Sequence, residues 1–157
     1  MTPINDEEDL LKSIRTYVKN NLNAKIASIN AEKSDFSIDE IPADDNHYVF
    51  GGELLDIPNH PFVNIMIDGE IESKSNGSSR ASLPSIMIEV AFDNPKTANI
   101  FFKSMRYMRA LYETMLGYEK TTLEVVDLQI IKAVPMVITA NKRELVVSGV
   151  NVSVALS

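Results

Sequence analysis

Residues 150–157 read Val150, Asn151, Val152, Ser153, Val154, Ala155, Leu156, Ser157, and this alternation is the period-two signature of a half-buried β-strand. A chain whose last residues lie in a strand is expected to have that end tied into a sheet. Working backwards, residues 121–139 are apolar and β-branched, with Val126, Leu128 and Ile130 set against Asp127, Gln129 and Lys132. Pro135 marks a break, a bulge or an edge position, because it has no N–H to give to a ladder. Asn141, Lys142 and Arg143 supply a turn, so the last third of the chain predicts a strand pair.

A second pair lies upstream. Residues 62–73 place Ile65, Ile67, Gly69 and Ile71 on one side and Asn64, Met66, Asp68, Glu70 and Glu72 on the other; residues 85–93 resume with Ile86, Ile88, Val90 and Phe92. Between them, residues 74–83 read KSNGSSRASL. Serine and glycine there predict a flexible hairpin loop at about 74–84 whose tip carries Lys74 and Arg80 and no acid. Tyr48, Val49 and Phe50 predict a short strand that ends at Gly51 and Gly52, a bend or bulge.

Two helices frame these strands. Asn5 or Asp6 can cap the first, and acids through Asp9 favour the positive end of its dipole. Leu11, Ile14, Val18, Leu22, Ile26 and Ile29 then recur every three or four residues, one apolar stripe reaching about Ala31. Lys12, Arg15, Lys19 and Lys25 fall off that stripe. Asn94 followed by Pro95 predicts the start of a second helix and Gly117 its stop. Its predicted core face is Ala98, Phe101, Phe102, Met105, Met108, Leu111, Tyr112 and Met115. Lys103, Arg106 and Arg109 recur every three residues as a basic strip, a solvated or partner-facing side. The reading is α+β, one domain over residues 1–157, an antiparallel or mixed sheet packed by two main helices in the order α-β-β-α-β-β.

Composition agrees with a soluble globular domain: 157 residues, 45% hydrophobic, 24% charged and no cysteine. A net charge of −7 disfavours long-range attraction to nucleic acid, which needs clustered Lys and Arg. The acidic start and the lack of a long apolar run predict a protein without a secretory signal or membrane span.

Chemistry is sparse. Residues 32–46 hold Asp35, Asp39, Glu40, Asp44 and Asp45, but not the spacing of a calcium loop, which leaves a solvated connection. Gly51 and Gly52 belong to no phosphate-binding motif. Of the two histidines, His47 and His60, neither sits in a metalloprotease motif; Glu53, Asp56, His60 and Asp68 form the one ligand-like group and match no metal spacing. Glu70, Glu72 and Glu89 are expected to be solvated strand residues rather than an acid/base pair. These readings predict a protein that is not an enzyme and that needs no cofactor or metal.

The order and texture of the elements resemble the tail terminator, or tail completion, proteins of tailed bacteriophages. The stretches that carry this are DLLKSIRTYVKNNL, FVNIMIDGEIESKSNGSSRASLPSIMIEVAF, NPKTANIFFKSMRYMRALYETM and the closing SGVNVSVALS. The resemblance implies a virion protein assembled in the host cytoplasm, a hexameric ring on the finished tail tube that stops its growth and offers a surface to the neck. It implies tail tube and neck or connector proteins as partners, and DNA passing through the channel unheld. The finger with Lys74 and Arg80 would face the channel or the docking side. Another neck or head-tail connector ring, or a small metal-dependent enzyme domain, are the alternative readings. For the ring, Lys103, Arg106 and Arg109, or Lys12, Arg15 and Lys19, are expected to meet acids such as Asp35, Asp39, Asp44 or Asp45 of a neighbour.

Overall fold

The computed structural model describes residues 4, 6–51, 57, 60–68, 85–93, 99–122, 125–133, 135–140 and 143–156. The finger at 74–83 with Lys74 and Arg80 lies outside them. So do Asn5, Gly52, Glu53, Asp56, Glu70, Glu72, the Asn94-Pro95 helix start, and the turn residues Asn141 and Lys142.

Helix α1 spans Glu7–Glu32. Asp6 is its N-cap and accepts a 2.9 Å hydrogen bond from the Asp9 N–H, which satisfies one donor the helix cannot satisfy itself. Leu10, Ile14, Val18, Leu22, Ile26 and Ile29 are buried along one side. The stripe therefore starts at Leu10, with Leu11 half-buried beside it. After α1 the chain turns back along the helix. Asn30 Nδ2 donates to the Ile38 carbonyl and the Ile38 N–H donates to Asn30 Oδ1, both at 2.9 Å. Asn23 holds Ile41 in the same two-bond manner, at 2.7 and 2.8 Å. Two side-chain amides thus act as a strand partner for the segment and seat Ile38 and Ile41 in the core.

A short 3₁₀ turn at Asp45–His47 leads into β1, Tyr48–Phe50, followed by β2, Phe62–Ile67, and β3, Ile86–Asp93. Helix α2, Ile100–Leu116, and the single turn α3, Tyr118–Thr121, precede β4, Val125–Lys132, β5, Met136–Ala140, and β6, Arg143–Leu156. The six strands make one sheet in the order β1-β2-β3-β6-β4, with β5 also on β6. It is mixed: β1 runs parallel to β2, and the remaining pairs are antiparallel. Strand β6 is 14 residues long, and one of its edges pairs first with β5, then with β4. Strands β4 and β5 are in effect one strand interrupted around Pro135, the break expected there. The fold is α+β, with the expected element order plus β1 at the sheet edge.

Alternation gives the sheet two faces. Val63, Ile65, Ile86, Ile88, Val90, Phe92, Val146, Val150, Val152 and Val154 meet the helices in the main core. Phe62, Ala91, Leu145 and Val147 form a smaller cluster on the other face. Helix α1 packs over β1 and β2, and α2 packs over β3, β6 and β4. No helix among the described residues is long and apolar enough to cross a membrane.

The sequence expectation for α2 holds at Leu111 and Met115, with Met108 and Tyr112 partly buried, but not at Phe101, Phe102 and Met105; Ala98 lies outside the described residues. Ile100, Ser104, Tyr107, Ala110, Leu111, Thr114 and Met115 are buried, whereas Phe101, Phe102 and Met105 are 54%, 59% and 47% exposed. Two apolar stripes compete on this helix. The stripe through Ile100, Tyr107, Leu111 and Met115 takes the sheet, with the small Ser104 and Ala110 buried beside it. The phenylalanines are left about a third of a turn or more away.

Candidate interaction surface

The three cations of the basic strip on α2 have different surroundings. Arg106 is buried: Nη2 donates to Asp35 Oδ1 at 2.7 Å, Nη1 donates to the Phe36 carbonyl at 2.5 Å, and the guanidinium lies 3.6 Å from the Phe36 ring centroid. Arg109 reaches Glu32 at 2.7 Å and Glu113 at 3.2 Å. Lys19 pairs with Asp45 at 2.8 Å. Within the subunit, then, Arg106 and Lys19 already bind Asp35 and Asp45, which the sequence reading assigned to a neighbour, and Arg109 is held by Glu32 and Glu113. The hydrogen bonds from these cations hold Asp35, Glu32 and Asp45 below the usual carboxylate range. Tyr107 adds a bond to the Asp39 carbonyl at 2.8 Å, and burial raises its phenol above the ordinary value.

These bonds dock the 35–39 segment against α2 and, with Phe102 and Met105, shape a cleft of about 450 Å³. Phe36, Phe102, Met105 and Met108 give it apolar walls, and Lys33, Arg106, Arg109 and Lys132 give it positive charge; Asp35 is its one acid among the described residues. Lys132 lies over the Tyr112 ring, 4.7 Å from the centroid. An apolar stripe of this kind presented to water, with cations outnumbering acids around it, has the make-up of a protein-binding surface. Lys103 does not reach it and lines a separate cleft of about 320 Å³ with Ser37, Asp39, His60, Asp93 and Tyr107.

The ligand-like group is not assembled. His60 Nδ1 sits 3.3 Å from Asp93 Oδ2 beside one end of β2, while Asp68 follows the other end and accepts from Asn151 Nδ2 at 2.8 Å. A six-residue strand separates the two, roughly 20 Å. Among the described residues no three of His, Cys, Asp and Glu gather to hold a metal.

Glu89 is the other correction, because it is buried rather than solvated. On the sheet's second face it opposes Asn64 on β2 and Gly149 on β6. Asn64 Nδ2 donates to Glu89 Oε1 at 3.1 Å, and Asn64 Oδ1 is buried with no hydrogen-bond partner among the described residues. Burial, and secondarily the charge of Asp68, raise the Glu89 carboxyl above its ordinary value. Gly149 makes room: a Cβ there would run into the Ile88 carbonyl and the Glu89 backbone.

No protein-family model matches the chain, and no curated protein matches it in sequence.

Proposed function

We propose that the chain is a structural protein of a phage virion, a tail-terminator-like subunit that assembles with copies of itself into a ring, six in number, on the end of the tail tube. The observation that carries this reading is the solvent-facing stripe of Phe101, Phe102 and Met105. Three large apolar side chains in one patch cost hydrophobic free energy until another surface covers them, and a subunit of an assembly is where that cost is recovered. The α+β frame in the expected order supports the same reading. An acidic subunit also suits a channel through which polyphosphate must slide.

The test is negative-stain imaging with light scattering, on the protein alone and mixed with purified tail tubes. Rings, and tubes whose ends are capped and no longer elongate, are the expected result. A strict monomer that leaves tube ends bare would refute the proposal.

A further inference from the structure

The surface that fills the α2 cleft is identifiable from charge and position. We infer that the occupant is the acidic first turn of α1 from a second copy, so that successive copies join head to tail; this rests on the assembly reading above. Arg106 and Arg109 spend their charge inside the subunit. Lys33 and Lys132 do not: both are exposed, and among the described residues no carboxylate makes a salt bridge with either. The cleft is therefore an apolar trough flanked by two ammonium groups outside any close ion pair among the described residues, Lys33 beside the charge of Glu32 and Lys132 over the Tyr112 ring, and such a rim favours a partner that is acidic.

The densest negative charge in the chain is the run Asp6, Glu7, Glu8, Asp9 at the start of α1, and Glu7 and Glu8 are exposed. A subunit cannot place this turn in its own cleft. Helices α1 and α2 run antiparallel. The beginning of α1 lies by α3, where the Ser13 and Tyr118 hydroxyls are 2.8 Å apart, and its end lies by Arg109 through Glu32. The 26 residues of α1 span about 39 Å, so acid and cleft occupy opposite ends of one helical layer. Complementary patches at opposite ends of a subunit give a heterologous contact, which closes into a ring when the rotation between copies permits. The self-complementary arrangement, cleft against cleft, would bring lysine rims together and is disfavoured by like charge.

The experiment is sedimentation velocity on the full chain at low salt, over a concentration series, with circular dichroism to verify folding. The double variants Lys33→Glu/Lys132→Glu and Glu7→Lys/Glu8→Lys alter exposed side chains, and within the subunit they remove only the Lys132 contact with Tyr112 and the exposed Glu8–Lys12 pair. Each is expected to weaken self-association at least about tenfold. An equimolar mixture of the two is expected to recover it, because each variant keeps the native half the other lacks and the two reversed halves match. If both reversals leave association intact while Phe102→Asp abolishes it, the α1 contact is overturned and the assembly surface stands. If each reversal dissociates the protein and the mixture fails to recover, the pairing is likewise overturned. A wild-type chain that associates only after tail tubes are added makes the tube the occupant and overturns the inference. A wild-type monomer that ignores tube ends overturns the proposed function as well.

Discussion

Truncating Phe102 to alanine separates a core residue from an assembly residue. A fully buried phenylalanine costs about 3 to 5 kcal/mol when cut to alanine. Phe102 keeps 59% of its surface accessible, so only the remaining part is lost from the subunit. For a side chain that buries some 150 to 250 Å², that part is about 80 Å², or about 2 kcal/mol at 25 cal/mol per Å², an upper bound. Alanine's better helix propensity returns about 0.5 kcal/mol. The expected loss of subunit stability is therefore at most about 1.5 kcal/mol, whereas Leu111→Ala, fully buried on the same helix, is expected to cost about 2 to 5 kcal/mol. Association should respond in the opposite order. The accessible part of Phe102, about 120 Å², corresponds to about 3 kcal/mol per contact, or roughly 100-fold in Kd, if a partner covers it fully. Urea denaturation at low concentration reads the first quantity and sedimentation velocity the second. A Phe102→Ala variant that loses 3 kcal/mol or more of stability, or one that associates as tightly as wild type, would refute the reasoning.

Glu89→Gln should stabilise the fold at neutral pH. The folded carboxyl titrates above its ordinary 4.5, so its favourable contribution is complete below that value and lost as pH rises through the folded pKa. The gap between variant and wild type should widen from about pH 4.5 upward, and an equal gap at pH 4 and pH 7 in thermal melts would count against a buried acid. Asn30→Ala should cost about 2 kcal/mol, because two backbone groups of Ile38 lose their partner at once, and hydrogen exchange at Ile38 should accelerate. Gly149→Ala should cost about 1 to 3 kcal/mol through overpacking against β3, read from the denaturation midpoint. Arg106→Ala should cost about 2 kcal/mol by releasing Asp35 and the Phe36 carbonyl, and nuclear magnetic resonance of the 35–39 segment should show it leaving α2.

Much of this protein is written in short-range pattern. The alternation from Val150 to Val154, the α1 stripe from Ile14 onward, a cap at Asn5 or Asp6 and the interruption around Pro135 each follow from sterics and periodicity within a few residues, which is why they are legible in the chain alone. The candidate surface is not. Helix α2 is apolar on two sides, so periodicity identified a helix without saying which side meets the sheet. That choice is made by tertiary packing: the sheet takes one side, and Asp35 and Phe36, about 70 positions upstream, cover Arg106. Asn23 and Asn30 look like ordinary polar positions until the 38–41 segment lies beside them, and Glu89 looks solvated until Asn64 and Gly149 close around it. Local sequence set which elements form; only tertiary contacts, made between residues with no local relation, decided which faces are covered and which are left for a partner.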